Sequence, residues 1–196
     1  YWQRRSHISE LSNLESGSAY RTQNTFLSTL SSLAVFGDLQ SQTWDKIFYA
    51  CETCLKDFQK ISPDFELPLS CNDYFAKKTK KRLIAFNKSS LGSTLLLSDR
   101  VNECVVPDLD EVLLVTSEII DKKINQKQCL IHGDFCFSNI FYDFRSSSIR
   151  VIDPRGALPD GTSSIYGIPE YDLAKLAHSV LGGYDLIISN YIQSSL

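Results

Sequence analysis

The sequence predicts an α+β fold, mainly helical with small β hairpins. Three observations point there. Apolar residues recur at three- and four-residue spacing over long stretches, the pattern later switches to short apolar runs of strand length, and distinctive polar residues cluster between those runs. With 196 residues, 43% of them hydrophobic and 22% charged, the composition is that of a globular chain.

In chain order, residues 1–42 are rich in Ser, Thr, Gln and Asn and only weakly patterned. Ala19–Ser28 reads as a strand, and Leu30–Leu39 as an irregular connector containing Phe36-Gly37-Asp38. From Thr43 the pattern is helical. Trp44, Ile47, Phe48, Cys51, Cys54, Leu55 and Phe58 form one apolar stripe, with Thr43 as the cap and Ser62-Pro63 as the stop. Asn72–Phe86 is a weaker helix, carrying Tyr74, Phe75, Leu83 and Phe86. Asp108–Asn125 follows Pro107, with Asp108 and Glu111 at capping-box spacing and Leu109, Val112, Leu113, Thr116, Ile119 and Ile120 on its inner face.

Cys129-Leu130-Ile131 then reads as a buried strand. Ile140–Tyr142 and Ile149–Ile152 read as a hairpin joined by polar Asp143–Ser148. A helix from about Pro169 to Gly182-Gly183 and a short one from Tyr184 to about Ile192 complete the chain.

Several function classes are set aside. A net charge of -3 provides no basic footprint for nucleic acid. No apolar run reaches the roughly 18 residues a membrane span needs, and Tyr1–Tyr20 has no apolar signal core. The six cysteines are irregularly spaced, as expected of reduced thiols in the cytoplasm. Cys51 and Cys54 form a CxxC without the second pair that a zinc site needs, and both fall on the apolar helix face, so they are read as core.

The chemistry is concentrated in His132-Gly133-Asp134-Phe135-Cys136-Phe137-Ser138-Asn139 and, after the hairpin, Val151-Ile152-Asp153-Pro154-Arg155-Gly156. Phosphoryl transfer needs one carboxylate to take the proton of the attacking hydroxyl. It also needs oxygen ligands for the Mg²⁺ that neutralises the phosphates. Asp134, Asn139 and Asp153 supply these groups. The loop holds the first two together, and the hairpin returns the third beside them.

This order resembles the kinase catalytic loop H-x-D-x-x-x-x-N followed by a metal-binding Asp. With Gly133 in second place it is similar to the aminoglycoside phosphotransferase and choline kinase family. The Asp153-Pro154-Arg155-Gly156 variant, with Tyr171-Asp172-Leu173-Ala174-Lys175 downstream, resembles kinases of bacterial surface-polysaccharide pathways.

The resemblance implies a protein-kinase-like fold: residues 1–38 a remnant of the N-terminal lobe and hinge, and 39–196 the helical C-terminal lobe. It implies ATP as donor, Mg²⁺ as cofactor and a small-molecule hydroxyl as acceptor, on a sugar, amino alcohol or glycan precursor. Asp134 becomes the catalytic base and Asn139 and Asp153 the Mg²⁺ ligands. His132 and Asp172 become supports of the loop. Arg155 replaces nothing obvious in the family pattern; it is read either as a phosphate or substrate contact, since a guanidinium suits phosphate oxygens, or as the partner of a nearby carboxylate. His178 is read as packed or at the surface. Tyr166, Tyr171 and Tyr184 are read either as packing residues or as the lining of a pocket, including one for a cationic amine.

A nucleotide lobe should offer a phosphate-covering loop and a lysine. The first lysine is Lys46, already in a helix, and no Gly-x-Gly precedes it. The chain starts at Tyr1 and has no Met, so the expectation is that this lobe lies upstream of Tyr1. A pseudokinase or binding module without turnover is the alternative. A metal-dependent hydrolase using Asp134 and Asp153 is weaker, because it lacks the further His or Asp ligands such sites use.

Overall fold

The computed structural model describes residues 11–13, 20–22, 26–64, 73–95, 100–101, 104–105, 108–123, 127–158 and 161–191. His7, Cys71 and Pro107 lie outside them. The described chain is α+β: helices dominate, and every sheet is small and antiparallel. It divides into two compact units. One comprises Tyr1–Phe65, Lys127–Gly156 and Ser164–Leu196, and the other Glu66–Gln126 and Ala157–Ser163. Among the described residues no helix is long and apolar enough to cross a membrane.

The first unit opens with strands β1 (Leu11–Asn13) and β2 (Tyr20–Thr22), which pair with each other. Strand β3 (Ser28–Thr29) runs directly into helix α1 (Leu30–Phe36). The sequence had suggested an irregular connector here. The Thr29 hydroxyl instead accepts from Ser32 N at 3.1 Å and caps a helix that buries Leu30 and Val35. The Ser-rich turn hides this, because serine is a weak helix former. The helix stops at Gly37, whose N–H bonds to Leu33 O at 3.0 Å and whose added Cβ would lie 2.5 Å from that oxygen.

Helix α2 (Ser41–Gln59) starts two residues before the expected cap. Gln40 occupies the N-cap position, without a side-chain cap bond. Its stripe is buried as the spacing predicts, with Ile47, Cys51, Cys54 and Phe58 at 1% exposure or less. Burial pushes the Cys51 thiol up to about 12, which suits a small apolar core residue rather than a ligand.

Strand β6 (Cys129–Leu130) pairs with β9 (Tyr166–Gly167), a partner that sequence periodicity did not reveal. Strands β7 (Ile140–Asp143) and β8 (Ser148–Val151) form the expected hairpin in register Ile140↔Val151, and β3 adds to its β7 edge through Ser28↔Tyr142. Helices α6 (Pro169–Val180) and α7 (Tyr184–Ile188) follow.

One core joins Leu30, the α2 stripe, Ile140, Tyr142, Ile149 and Val151 of the hairpin, Leu176 of α6, and Phe135 and Phe137. These two phenylalanines belong to the polar loop itself. Phe135 meets Phe58 edge-on at 6.5 Å, and Phe137 stacks on Trp44 at 5.8 Å. The core therefore anchors the loop from below.

In the second unit, a π-helical turn (Asp73–Lys77) leads into α3 (Lys78–Asn87), followed by α4 (Ser90–Leu95), the strand pair β4 (Arg100–Val101) and β5 (Cys104–Val105), and α5 (Leu109–Lys123). Asp108 caps α5 as its position suggested, accepting from Asp110 N at 2.8 Å. The expected inner face is corrected: among the side chains of the set that the structure describes, Leu113 alone is buried, while Val112 and Ile119 are exposed.

Candidate active site

The loop 132–139 leaves β6 and ends in a 3₁₀ turn (Phe137–Asn139) that feeds β7. Polar and apolar residues alternate through its centre. Phe135 and Phe137 enter the core, while Asp134, Cys136 and Asn139 stay partly exposed. The loop is built by a set of hydrogen bonds that reach it from two directions.

From one side comes α6. Asp172, 1% exposed, accepts from His132 N at 2.6 Å and from Gly133 N at 2.8 Å. Ser179 accepts from Phe137 N at 3.2 Å. Between them, Lys175 Nζ meets Asp134 Oδ1 at 2.7 Å. Residues 172, 175 and 179 share one face of a helix, so a single surface of α6 serves as the template for the loop.

From the other side comes the end of the hairpin. Ile152 N bonds to Asn139 O at 3.1 Å, one rung beyond the Ile140↔Val151 pair. Arg155 N bonds to His132 O at 2.8 Å. The His132 ring joins the two segments. Its Nε2–H donates to Ile152 O at 2.8 Å, and its Nδ1 accepts from Asp134 N at 3.3 Å. The carbonyl can only accept, so the imidazole is neutral with its proton on Nε2.

Burial pushes the His132 ring down to about 4, against the Ile152 bond and the charges of Asp134 and Asp153. His132 is thus a brace with no proton to exchange near neutral pH. Between about pH 4 and 6.5 the unfolded chain takes up a proton that the folded ring refuses, so this group makes stability rise with pH across that window. Urea denaturation of the wild type and His132→Gln between about pH 4.5 and 6.5 should show their stability difference shifting by about 2–3 kcal/mol in favour of the wild type as pH rises. A difference that stays constant would mean the ring titrates normally.

Asp134 is partly exposed. Its side chain is 39% accessible and that of Lys175 27%, so both can be reached from solvent. Burial acts to raise the Asp134 carboxyl, but the Lys175 hydrogen bond and charge, with the Arg155 charge, outweigh it and hold the group below the ordinary carboxylate value. Asn139 Nδ2 donates to Asp134 O at 2.9 Å, which leaves Oδ1 as the end of that amide that could accept or ligate.

Asp153 is exposed and sits at φ 58, in the left-handed region. That conformation costs a non-glycine residue about 1–3 kcal/mol and gathers at functional sites. Among the described residues no three His, Cys, Asp or Glu side chains form a metal cage. Two oxygen ligands of the Asn139 and Asp153 type fit Mg²⁺, which keeps several waters and takes further oxygens from phosphates.

Gly133 explains the second position of the motif. Its φ is 78, and an added Cβ would lie 2.8 Å from Arg155 Cβ. A side chain there would be strained and would push Arg155 off the loop. Arg155 Nη1 lies 3.3 Å from Tyr171 Oη on α6.

The structure thus brings His132, Asp134, Asn139, Asp153, Asp172 and Arg155 into one unit around one loop. Lys175 was quoted from sequence only as the end of the downstream motif, without a role, and Ser179 was not singled out. The usable signal was their spacing from Asp172 along one helix. Tyr184 packs on His178 at 4.6 Å between ring centroids, and Tyr166 lies in β9. No protein-family model matches this chain, and neither the curated proteins nor the solved structures hold a significant match.

Proposed function

We propose that this chain is the helical lobe of a protein-kinase-like fold and that it transfers the γ-phosphoryl group of ATP to a hydroxyl of a small molecule. The observation that carries the reading is the His132 bridge. One neutral imidazole bonds to the backbone of Asp134 and to the residue before Asp153, so the chain segments that carry the two carboxylates are tied together by the same ring.

In this reading Asp134 orients the acceptor hydroxyl and takes its proton as the oxygen–phosphorus bond forms and the bond to ADP breaks. A carboxylate of low basicity suits a loose phosphoryl-transfer transition state, in which positioning matters more than early proton removal. Asn139 Oδ1 and Asp153 would hold Mg²⁺, which neutralises charge on the phosphates when bound. Asp172 fixes the backbone beneath Asp134, and the phenylalanines on either side of Cys136 keep the loop from drifting. A cytoplasmic location is part of this reading, in keeping with the irregularly spaced cysteines.

The test is transfer of labelled γ-phosphate from ATP to hydroxyl acceptors by the full-length protein with Mg²⁺. Asp153→Ala should raise the Mg²⁺ concentration for half-maximal rate by about 10–100-fold. A rate that is independent of Mg²⁺, or unchanged by Asp153→Ala, would remove Asp153 as a ligand. Absence of transfer with every acceptor, together with retained ATP binding, would favour a binding module without turnover.

A further inference from the structure

We infer that Lys175 and Arg155 form an anion-binding pair on the acceptor side of Asp134, and that the acceptor carries a carboxylate or phosphate group close to its reacting hydroxyl. This rests on the phosphotransferase reading and narrows it: amino alcohols and other cationic acceptors are set aside.

The argument starts from placement. Tyr171 and Lys175 lie one turn apart on α6, on the same face. Arg155 reaches that face through the Tyr171 hydroxyl, and Lys175 meets Asp134 Oδ1 at 2.7 Å. Two cations therefore flank the carboxylate that would face the acceptor. Lys175 bonds to Asp134, the carboxylate assigned to the acceptor.

The charge balance follows. Lys175 already neutralises Asp134, Arg155 offsets the charge of the exposed Asp153, and His132 is neutral. An ammonium group arriving beside Asp134 would have to displace the Lys175 ammonium that already holds that carboxylate. Of the three tyrosines weighed as pocket lining, Tyr171 lies beside Arg155, Tyr184 packs on His178 and Tyr166 lies in β9.

Donor capacity remains for an anion. An ammonium has three N–H groups and a guanidinium five, and the contacts described use one on Lys175 and one on Arg155. An ion pair this exposed adds little to stability, so a structural role alone does not account for a lysine at this place. A carboxylate or phosphate oxygen would find charge-assisted donors from both sides.

The first measurement does not depend on turnover. Inorganic phosphate is titrated calorimetrically into the full-length protein, alone and with a saturating non-hydrolysable ATP analogue and Mg²⁺. Phosphate should bind in both cases, and Lys175→Gln and Arg155→Gln should each weaken it by about tenfold or more, with melting curves confirming that the variants fold. No binding, or binding untouched by both substitutions, overturns the pair as an anion site. Binding that the analogue abolishes assigns the anion to the donor phosphate and overturns the acceptor-side assignment.

The second measurement compares kcat/KM for a hexose, its uronic acid and its amino sugar. The uronic acid should lead and the amino sugar trail, with Lys175→Gln narrowing the gap by about tenfold. A lead for the amino sugar overturns the proposal. If phosphate binds as expected while no acceptor of any charge is phosphorylated, the anion pair stands and the phosphotransferase reading falls.

Discussion

Replacing Asp172 with alanine is expected to lower the unfolding free energy by about 2–5 kcal/mol, measured by urea denaturation. The residue is 1% exposed, and its two oxygens accept from His132 N and Gly133 N. Truncation orphans both backbone donors where water cannot easily replace the carboxylate, at about 1–3 kcal/mol each. A term of opposite sign limits the loss. Burial pushes the Asp172 carboxyl up to about 7, against those two donors, so deleting it also removes a desolvated acid. Asp172→Asn retains one good acceptor and should fall between the wild type and the alanine variant. A loss below about 1 kcal/mol would show that the loop holds itself without α6.

Asp134→Ala carries the largest expected effect on activity. Removing a positioned proton acceptor costs about 10²–10⁴-fold in rate. The loss should appear in kcat, with the KM for ATP little changed, because Asp134 is assigned to the acceptor and not to the donor phosphates. The fold should survive: the side chain is partly exposed and its partner Lys175 can also be reached from solvent. Steady-state kinetics beside a melting curve would separate the two outcomes. A variant that keeps its rate within about threefold removes Asp134 from the proton-accepting role. One that loses rate and fold together would show that the loop depends on the Lys175 pair.

Much of the site was legible because its parts are local. The alternation of Asp134, Phe135, Cys136 and Phe137 already separates side chains that enter the core from those that stay near solvent. The hairpin is readable from two apolar runs around a polar turn, and its register places Asn139 opposite Ile152. The α2 stripe was readable for the same reason, since one helical period repeats over several turns.

Other features were hidden in identifiable ways. Helix α1 is short and serine-rich, and its decisive signal is a single Thr29 cap. The inner face of α5 was drawn too wide: Val112 and Ile119 have the right spacing, but spacing does not say how much of a stripe finds a partner. Ser179 looks like any helical serine until Phe137 N is placed against it.

The sequence by itself determined the chemical inventory and its local order: a carboxylate, an amide and a second carboxylate, each next to a strand-forming run. Only the tertiary structure decided what stands over them. Asp172 is separated by 40 residues from the His132 backbone it holds, and Lys175 reaches Asp134 from that same helix. Periodicity reports which residues share a face within one element. Which face of α6 meets the loop depends on how Leu176 packs into a core shared with α2 and the hairpin, and no local pattern encodes that choice.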